Sequence, residues 1–214
     1  MKKTTQNKIV IPIRTLSQLF RTQANQWIAT KKNLDKAEGP MFAYYAPMVH
    51  AMNAEIRQKG SGRLILDLEV QGFGDNPTSK SVIQNSSESF KFFAENWAER
   101  FQLIEEFPEK GRDYEYVNFE GHLLKGGFHA RALEYGRDEV FLYYHASNWT
   151  PMMVRAQAEL LAIIGEVRHG ISRESIRFLD FREKSILRYK WPTSNLRRDL
   201  KTHCDLYQLV FKKR

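Results

Sequence analysis

The sequence predicts an α+β fold: a single domain over 1–214 with a mostly antiparallel sheet, a central three-strand meander, packed against helices. Three observations point that way. Apolar residues recur at helical spacing in several stretches, and Phe90, Phe93, Ala94 and Trp97 make the clearest stripe. Alternating segments between 114 and 146 are separated by Gly126-Gly127 and Gly136-Arg137, which suit tight turns. Strands and helices do not follow the regular βαβ rhythm of a parallel sheet.

From the N-terminus, Ile9, Val10, Ile11 and Ile13 read as a short buried strand, with Pro12 placing it near an edge. Thr15 with Gln18 three residues on is a capping-box signature. The helix it opens has Leu16, Leu19, Phe20, Ala24, Trp27 and Ile28 on one stripe, and Gly39-Pro40 stops the chain's helical run. A second helix, 41–59, buries Tyr45, Met48, Val49, Met52 and Ile56. Leu64, Leu66, Leu68 and Val70 then alternate with Ile65, Asp67, Glu69 and Gln71, the pattern of a half-buried strand. Residues 72–87, rich in Gly, Asn, Ser and Pro, read as the longest loop.

The third helix is capped by Asn85 or Ser86, and its stripe runs on through Phe101 and Ile104 to a stop at Pro108 and Gly111. The meander follows as 114–124, 128–135 and 139–146. Thr150-Pro151 opens a fourth helix that reaches Val167, with Gly170 after it. A basic subregion, 168–214, reads as a hairpin (176–181 and 186–191), a helix over 194–204 and a last strand over 206–211.

Composition excludes several classes. Forty-two per cent hydrophobic and 13 % aromatic residues support a core, so disorder is not expected. A lone cysteine, Cys204, rules out an internal disulfide framework and suits a reducing compartment. No apolar run approaches the roughly 18 residues that span a bilayer. The first residues lack a signal-peptide pattern, so a cytoplasmic location and no membrane partner are expected.

Charge is segregated along the chain. Residues 1–36 carry eight Lys/Arg and one Asp, net +7. Residues 37–167 carry twelve Lys/Arg and nineteen Asp/Glu, net −7, and 168–214 carry thirteen and five, net +8. Basic ends around an acidic middle point to a polyanion, and nucleic acid, DNA or RNA, is the expected partner. Period-two alternation puts Arg188 and Lys190 on one face of the C-terminal hairpin. On the helix after Pro192, Leu196, Leu200 and Cys204 point inward, which leaves Arg197, Arg198 and Lys201 outward. These five, with Lys212-Lys213-Arg214 and the N-terminal cations including Arg21 and Lys32, form the candidate phosphate-contacting set. Tyr189 and Trp191 suit base stacking, although large rings at alternate positions are more often core. The same charge pattern also suits head-to-tail pairing between copies, or a subunit that binds acidic protein surfaces.

An enzyme reading rests on two clusters. On a strand, Asp67 and Glu69 emerge on one face and can hold Mg²⁺ or Mn²⁺, whose bound water attacks a phosphodiester. The run Asp67-Leu68-Glu69-Val70-Gln71 resembles the acidic core of restriction-type nucleases. Gln71 stands where such sites often carry lysine, and Glu55 would have to supply the earlier acid. A solvated strand face explains the same spacing. In the second cluster, a two-residue turn at Gly126-Gly127 would set Leu124 opposite His129 and His122 opposite Arg131. Glu120, His122, His129 and Arg131 would then share a face with Tyr144 and Asn118 nearby. A Glu–His pair shuttles protons, while Arg131 and Tyr144 stabilise an anion, as in a nuclease or other hydrolase. A plain wet face of an antiparallel sheet gives the same pattern.

Two weaker signals remain. Gly72-Phe73-Gly74 with Lys80 lacks the spacing of a phosphate-binding loop, and Cys204 beside His203 and Asp205 reads as a buried thiol.

Overall fold

The computed structural model describes residues 9–20, 26–74, 77–107, 116–188 and 194–211. The first elements are β1 (Val10–Pro12), α1 (Ile13–Leu19), α2 (Trp27–Arg57), α3 (Gly62–Val70) and α4 (Pro77–Asn96). Then come β2 (Phe101–Glu106), β3 (Tyr116–Phe119), β4 (His122–Lys125), β5 (Ala130–Glu134) and β6 (Asp138–His145). The chain ends with α5 (Pro151–Ile164), β7 (Ile176–Asp180), β8 (Ser185–Arg188) and α6 (Ser194–Phe211).

The fold is α+β, as expected, but its strands form two mixed sheets. The larger has the order β2-β5-β6-β7-β8 and is antiparallel except between β6 and β7. Those two run parallel, joined by α5 as a crossover helix. The smaller has the order β1-β4-β3, with β1 parallel to β4. Helices cover both faces of the larger sheet. Phe141, Tyr143, Ile176 and Phe178 pack with residues of α1, α5 and α6 on one face. Leu142, Tyr144, Leu179 and Ala132 pack with residues of α2 and α4 on the other. This is why Val140 to His145 are all buried, without the alternation of a half-exposed strand.

Several expected elements change type. The stretch 64–71 is helix α3, not a strand. Its alternation is carried by leucine, a good helix former. The Glu55 carboxylate accepts from Gly60 and Gly62 N–H at 2.8 and 3.0 Å, which starts the helix. A Cβ on Gly62 would lie 2.4 Å from the Ala51 carbonyl and 2.6 Å from the Phe90 ring, so glycine sets how closely α2, α3 and α4 approach. Helix α4 begins at Pro77, a favoured first position, so the long loop over 72–87 shrinks and Ser86 is buried on its inner stripe rather than capping. It ends at Asn96, and Phe101 and Ile104 belong to β2. Helix α2 runs straight through Gly39-Pro40. Trp27 and the Met48, Met52 and Ile56 stripe bury its two ends, so packing outweighs propensity. Helix α6 continues past Cys204 to Phe211 in place of the last strand, with Leu200, Cys204 and Tyr207 buried.

The meander also divides. Phe119 pairs with His122, which makes Glu120-Gly121 a two-residue turn with φ of 49° and 86°. Gly126-Gly127 is not a hairpin turn but the passage from the small sheet to the large one. A Cβ on Gly126 would lie 2.4 Å from the Ile13 side chain, so this glycine allows α1 to close over it. No helix among the described residues is long and apolar enough to cross a membrane.

Candidate nucleic-acid interface

Arg188 ends β8, and Arg198 and Lys201 are exposed on α6, but Ile186 beside Arg188 packs with α2 and α4 while α6 packs on the opposite face of the sheet. Most of the expected cations, however, already have acids. Arg188 donates to Glu134 Oε1 at 3.0 Å, and Arg177 shares that carboxylate at 2.6 Å through Oε2. Glu134 is buried, so this trio holds β8 and β7 against β5. Arg197 donates to Glu159 at 2.8 Å and to Glu166 at 2.5 Å. Arg173 binds the same two carboxylates, Glu166 at 3.0 Å and Glu159 at 2.7 Å. Glu159 is fully buried. This four-membered network locks α6 onto α5. Burial works to raise the Glu166 carboxyl, and hydrogen bonds from Arg197 and Arg173 hold it below its ordinary value.

On the outer face of α6, Lys201 donates to Asp205 at 3.2 Å, and Arg198 reaches only Asn195 at 3.5 Å. Asp199 and Asp205 there offset Arg198 and Lys201. Lys32 is exposed on α2. Arg21, Lys190, Tyr189, Trp191 and 212–214 lie outside the described residues. The described residues carry 23 Lys/Arg and 21 Asp/Glu, a net charge of +2. Ten Lys/Arg and four Asp/Glu fall outside them, so +6 of the chain's +8 lies in those segments.

Neither enzyme cluster assembles. On a helix, Asp67 and Glu69 point about 200° apart. Asp67 accepts from Arg63 at 2.9 Å, while both Glu69 oxygens lie 2.9 Å from His50 Nδ1 on α2. Among the described residues no group of three or more His, Cys, Asp or Glu is placed to hold a metal. The four meander residues separate because β4 and β5 belong to different sheets. Glu120 sits in the β3–β4 turn. His122 is buried and its Nε2–H donates to Asp205 at 2.9 Å, tying β4 to α6. Arg131 pairs with Glu139 at 3.1 Å and Glu105 at 3.5 Å.

His129 and Tyr144 do stay together, as structural groups. The Tyr144 N–H donates to His129 Nδ1 at 2.9 Å, and the Tyr144 hydroxyl donates to Asn53 at 2.9 Å. Asn53 in turn donates to the His129 carbonyl at 3.2 Å, a link from α2 to the sheet. Burial and then the Arg14 charge push His129 down to about 3, while burial and then the Glu106 charge raise the Tyr144 hydroxyl. Cys204 is buried, and burial followed by the Asp205 charge pushes its thiol up to about 12, so it is no nucleophile.

Two groups escaped the sequence reading. Glu159 and Arg173 form the α5–α6 lock, and Arg14, His145 and Arg182 gather where β6 and β7 end. The one available signal was Thr150-Pro151 five residues after the end of β6, which opens the crossover helix. No protein-family model matches the chain, and no curated protein matches it.

Proposed function

We propose that the protein is a cytoplasmic nucleic-acid-binding protein that contacts phosphates without reading sequence. One observation carries this reading: the chain is +8, yet its described body is only +2. Acids of the body already neutralise Arg188, Arg197 and Lys201. The +6 surplus comes from Lys2, Lys3, Lys8, Arg21, Lys190 and Lys212-Lys213-Arg214, less the net −2 of 75–76 and 108–115, and is supplemented on the body by Lys32 and Arg198. Cations of this kind release counterions when they neutralise phosphates, which yields affinity that depends on salt and not on base identity.

The test is fluorescence anisotropy with labelled DNA and RNA of mixed sequence between 50 and 200 mM salt, a window over which phosphate-driven affinity falls by orders of magnitude. The expected result is binding to both with a steep negative slope of log affinity against log salt. Absent binding at the lowest salt, or affinity indifferent to salt, would overturn the reading. The hydrolase alternative has no assembled site among the described residues, and it predicts cleavage of the same probes with added Mg²⁺ or Mn²⁺.

A further inference from the structure

Tyr135 stands at the tip of the hairpin that joins β5 to β6, and the residue is 61 % exposed. The turn is closed by the Arg137 N–H, which donates to the Glu134 carbonyl at 3.1 Å. Its central residues, Tyr135 and Gly136, have φ of 52° and 69°, the pattern of a turn that ordinarily takes Asn-Gly, Asp-Gly or Gly-Gly. A left-handed backbone crowds the Cβ of an L-residue against the following carbonyl, and a tyrosine has no short polar group to offset that. Among the described residues only Glu120 and Lys184 share this conformation without being glycine, and neither is aromatic. The Lys184 ammonium lies 5.3 Å over the Phe92 ring, which gives it a packing role. The Tyr135 side chain has none: its hydroxyl and ring meet no hydrogen-bonding, aromatic or cationic partner among the described residues.

Two cations flank it. The Tyr135 N–H donates to the Arg100 carbonyl at 2.6 Å, which sets Arg100 beside the tip, and Arg137 is exposed on the turn itself. Neither arginine side chain has an acid partner among the described residues. The acids around them are mostly taken. Glu134 is buried and held by Arg177 and Arg188, Glu139 pairs with Arg131 at 3.1 Å, and Glu99 pairs with Lys59. Asp138 remains, exposed, one acid against two arginines. A strained, solvent-facing ring that adds nothing to the core is an outlier from which a functional role is inferred.

We propose that Tyr135 is a stacking platform for one unpaired base, with Arg100 and Arg137 meeting the adjoining phosphates. The proposal rests on the nucleic-acid reading above and narrows it to single strands. Every base has a π-face, so stacking on a tyrosine is tolerant of sequence. In a duplex those faces are already stacked on their neighbours, and the ring gains nothing. Two properties follow. Removing the ring takes away no charge, so it should lower single-strand affinity at every salt concentration without changing the salt slope. Removing the two arginines should flatten the slope by about 1.4, at about 0.7 for each single-strand phosphate contact.

The test compares labelled oligothymidylate with a labelled mixed-sequence duplex of equal length, by anisotropy, for wild type, Tyr135→Ala, Tyr135→Phe and Tyr135→Asn. Tyr135→Ala should weaken the single strand at least about fivefold, the lower end of what one stacked base contributes, and leave the duplex unchanged. Tyr135→Phe keeps the ring and should bind as wild type does. Tyr135→Asn separates function from fold, because asparagine tolerates this backbone. It should raise the denaturant concentration at the unfolding midpoint and still lose single-strand affinity. Equal losses on both polymers, no loss with Tyr135→Ala, or a lowered midpoint with Tyr135→Asn would overturn the stacking role while leaving phosphate binding intact. Wild type that binds neither polymer would overturn both readings together.

Discussion

The two ends of α5 treat positive charge in opposite ways. Near its C-terminal end, Arg173 and Arg197 share Glu159 and Glu166. Near its N-terminal end, Arg14 and Arg182 face the neutral imidazole of His145. The first end is an electrostatic weld between helices, already satisfied and closed to a ligand. At the second, burial and those two charges push the His145 imidazole down instead. A count of arginines therefore says little about where an anion can bind; the acids around them decide it.

The largest expected effect breaks the weld. Glu159→Ala leaves two arginine side chains without their buried carboxylate, and removing one partner of a buried ion pair costs about 3–5 kcal/mol. Denaturant unfolding should show that loss, with polymer binding by the remaining folded protein unchanged. A loss under about 1 kcal/mol would mean that the network is solvated and that the contrast between the ends is false.

The second effect comes from the other end. His145 has a folded-state value of about 4 against an ordinary 6.5, so it is depressed, and the unfolded chain binds the extra proton. Its contribution to stability is complete above about 6.5 and is lost as pH falls from there towards 4. Between 6.5 and 5 the loss is about 2 kcal/mol at 1.36 kcal/mol per pH unit. His129 adds a loss of the same sign. The check is unfolding free energy across this range in wild type and His145→Phe, whose curve should be flatter. Parallel curves would mean that His145 is protonated in the folded protein.

How much of this was legible in the sequence follows the same division. Core positions with helical spacing, such as Phe90 and Phe93 on α4, the Pro151 helix start and the 176–188 hairpin were readable because local pattern and tertiary burial agree there. The strand assignment at 64–71 failed because period-two alternation of leucine on a short segment cannot be told from a helix whose one buried leucine is Leu66. The Glu120/His122/His129/Arg131 cluster failed on a single turn. Once Glu120-Gly121 takes the hairpin, Gly126-Gly127 carries the chain between sheets and the pairing is lost. Arg197 and Arg198 were indistinguishable by position on a basic helix. What separates them is Glu159, 38 residues away in the chain.

Smaller effects sharpen that last distinction. Arg198→Ala should leave stability within about 0.5 kcal/mol and reduce the salt slope by about 1 if it meets a phosphate. Arg197→Ala should instead lower stability while leaving the slope nearly intact. The reverse outcome in unfolding and anisotropy measurements would exchange their roles. Smallest of all, Cys204 should resist thiol reagents in the native protein and react at once in denaturant, because burial holds it protonated.

The decisive measurement is the salt dependence of nucleic-acid affinity for wild type beside a variant in which Lys2, Lys3, Lys8, Lys212, Lys213 and Arg214 are all alanine. Each cation that meets a phosphate contributes about 0.9 to the slope, so the variant should lose several units while unfolding at the same denaturant concentration. A slope equal to that of wild type would place the contact on the charge-balanced body and contradict the account.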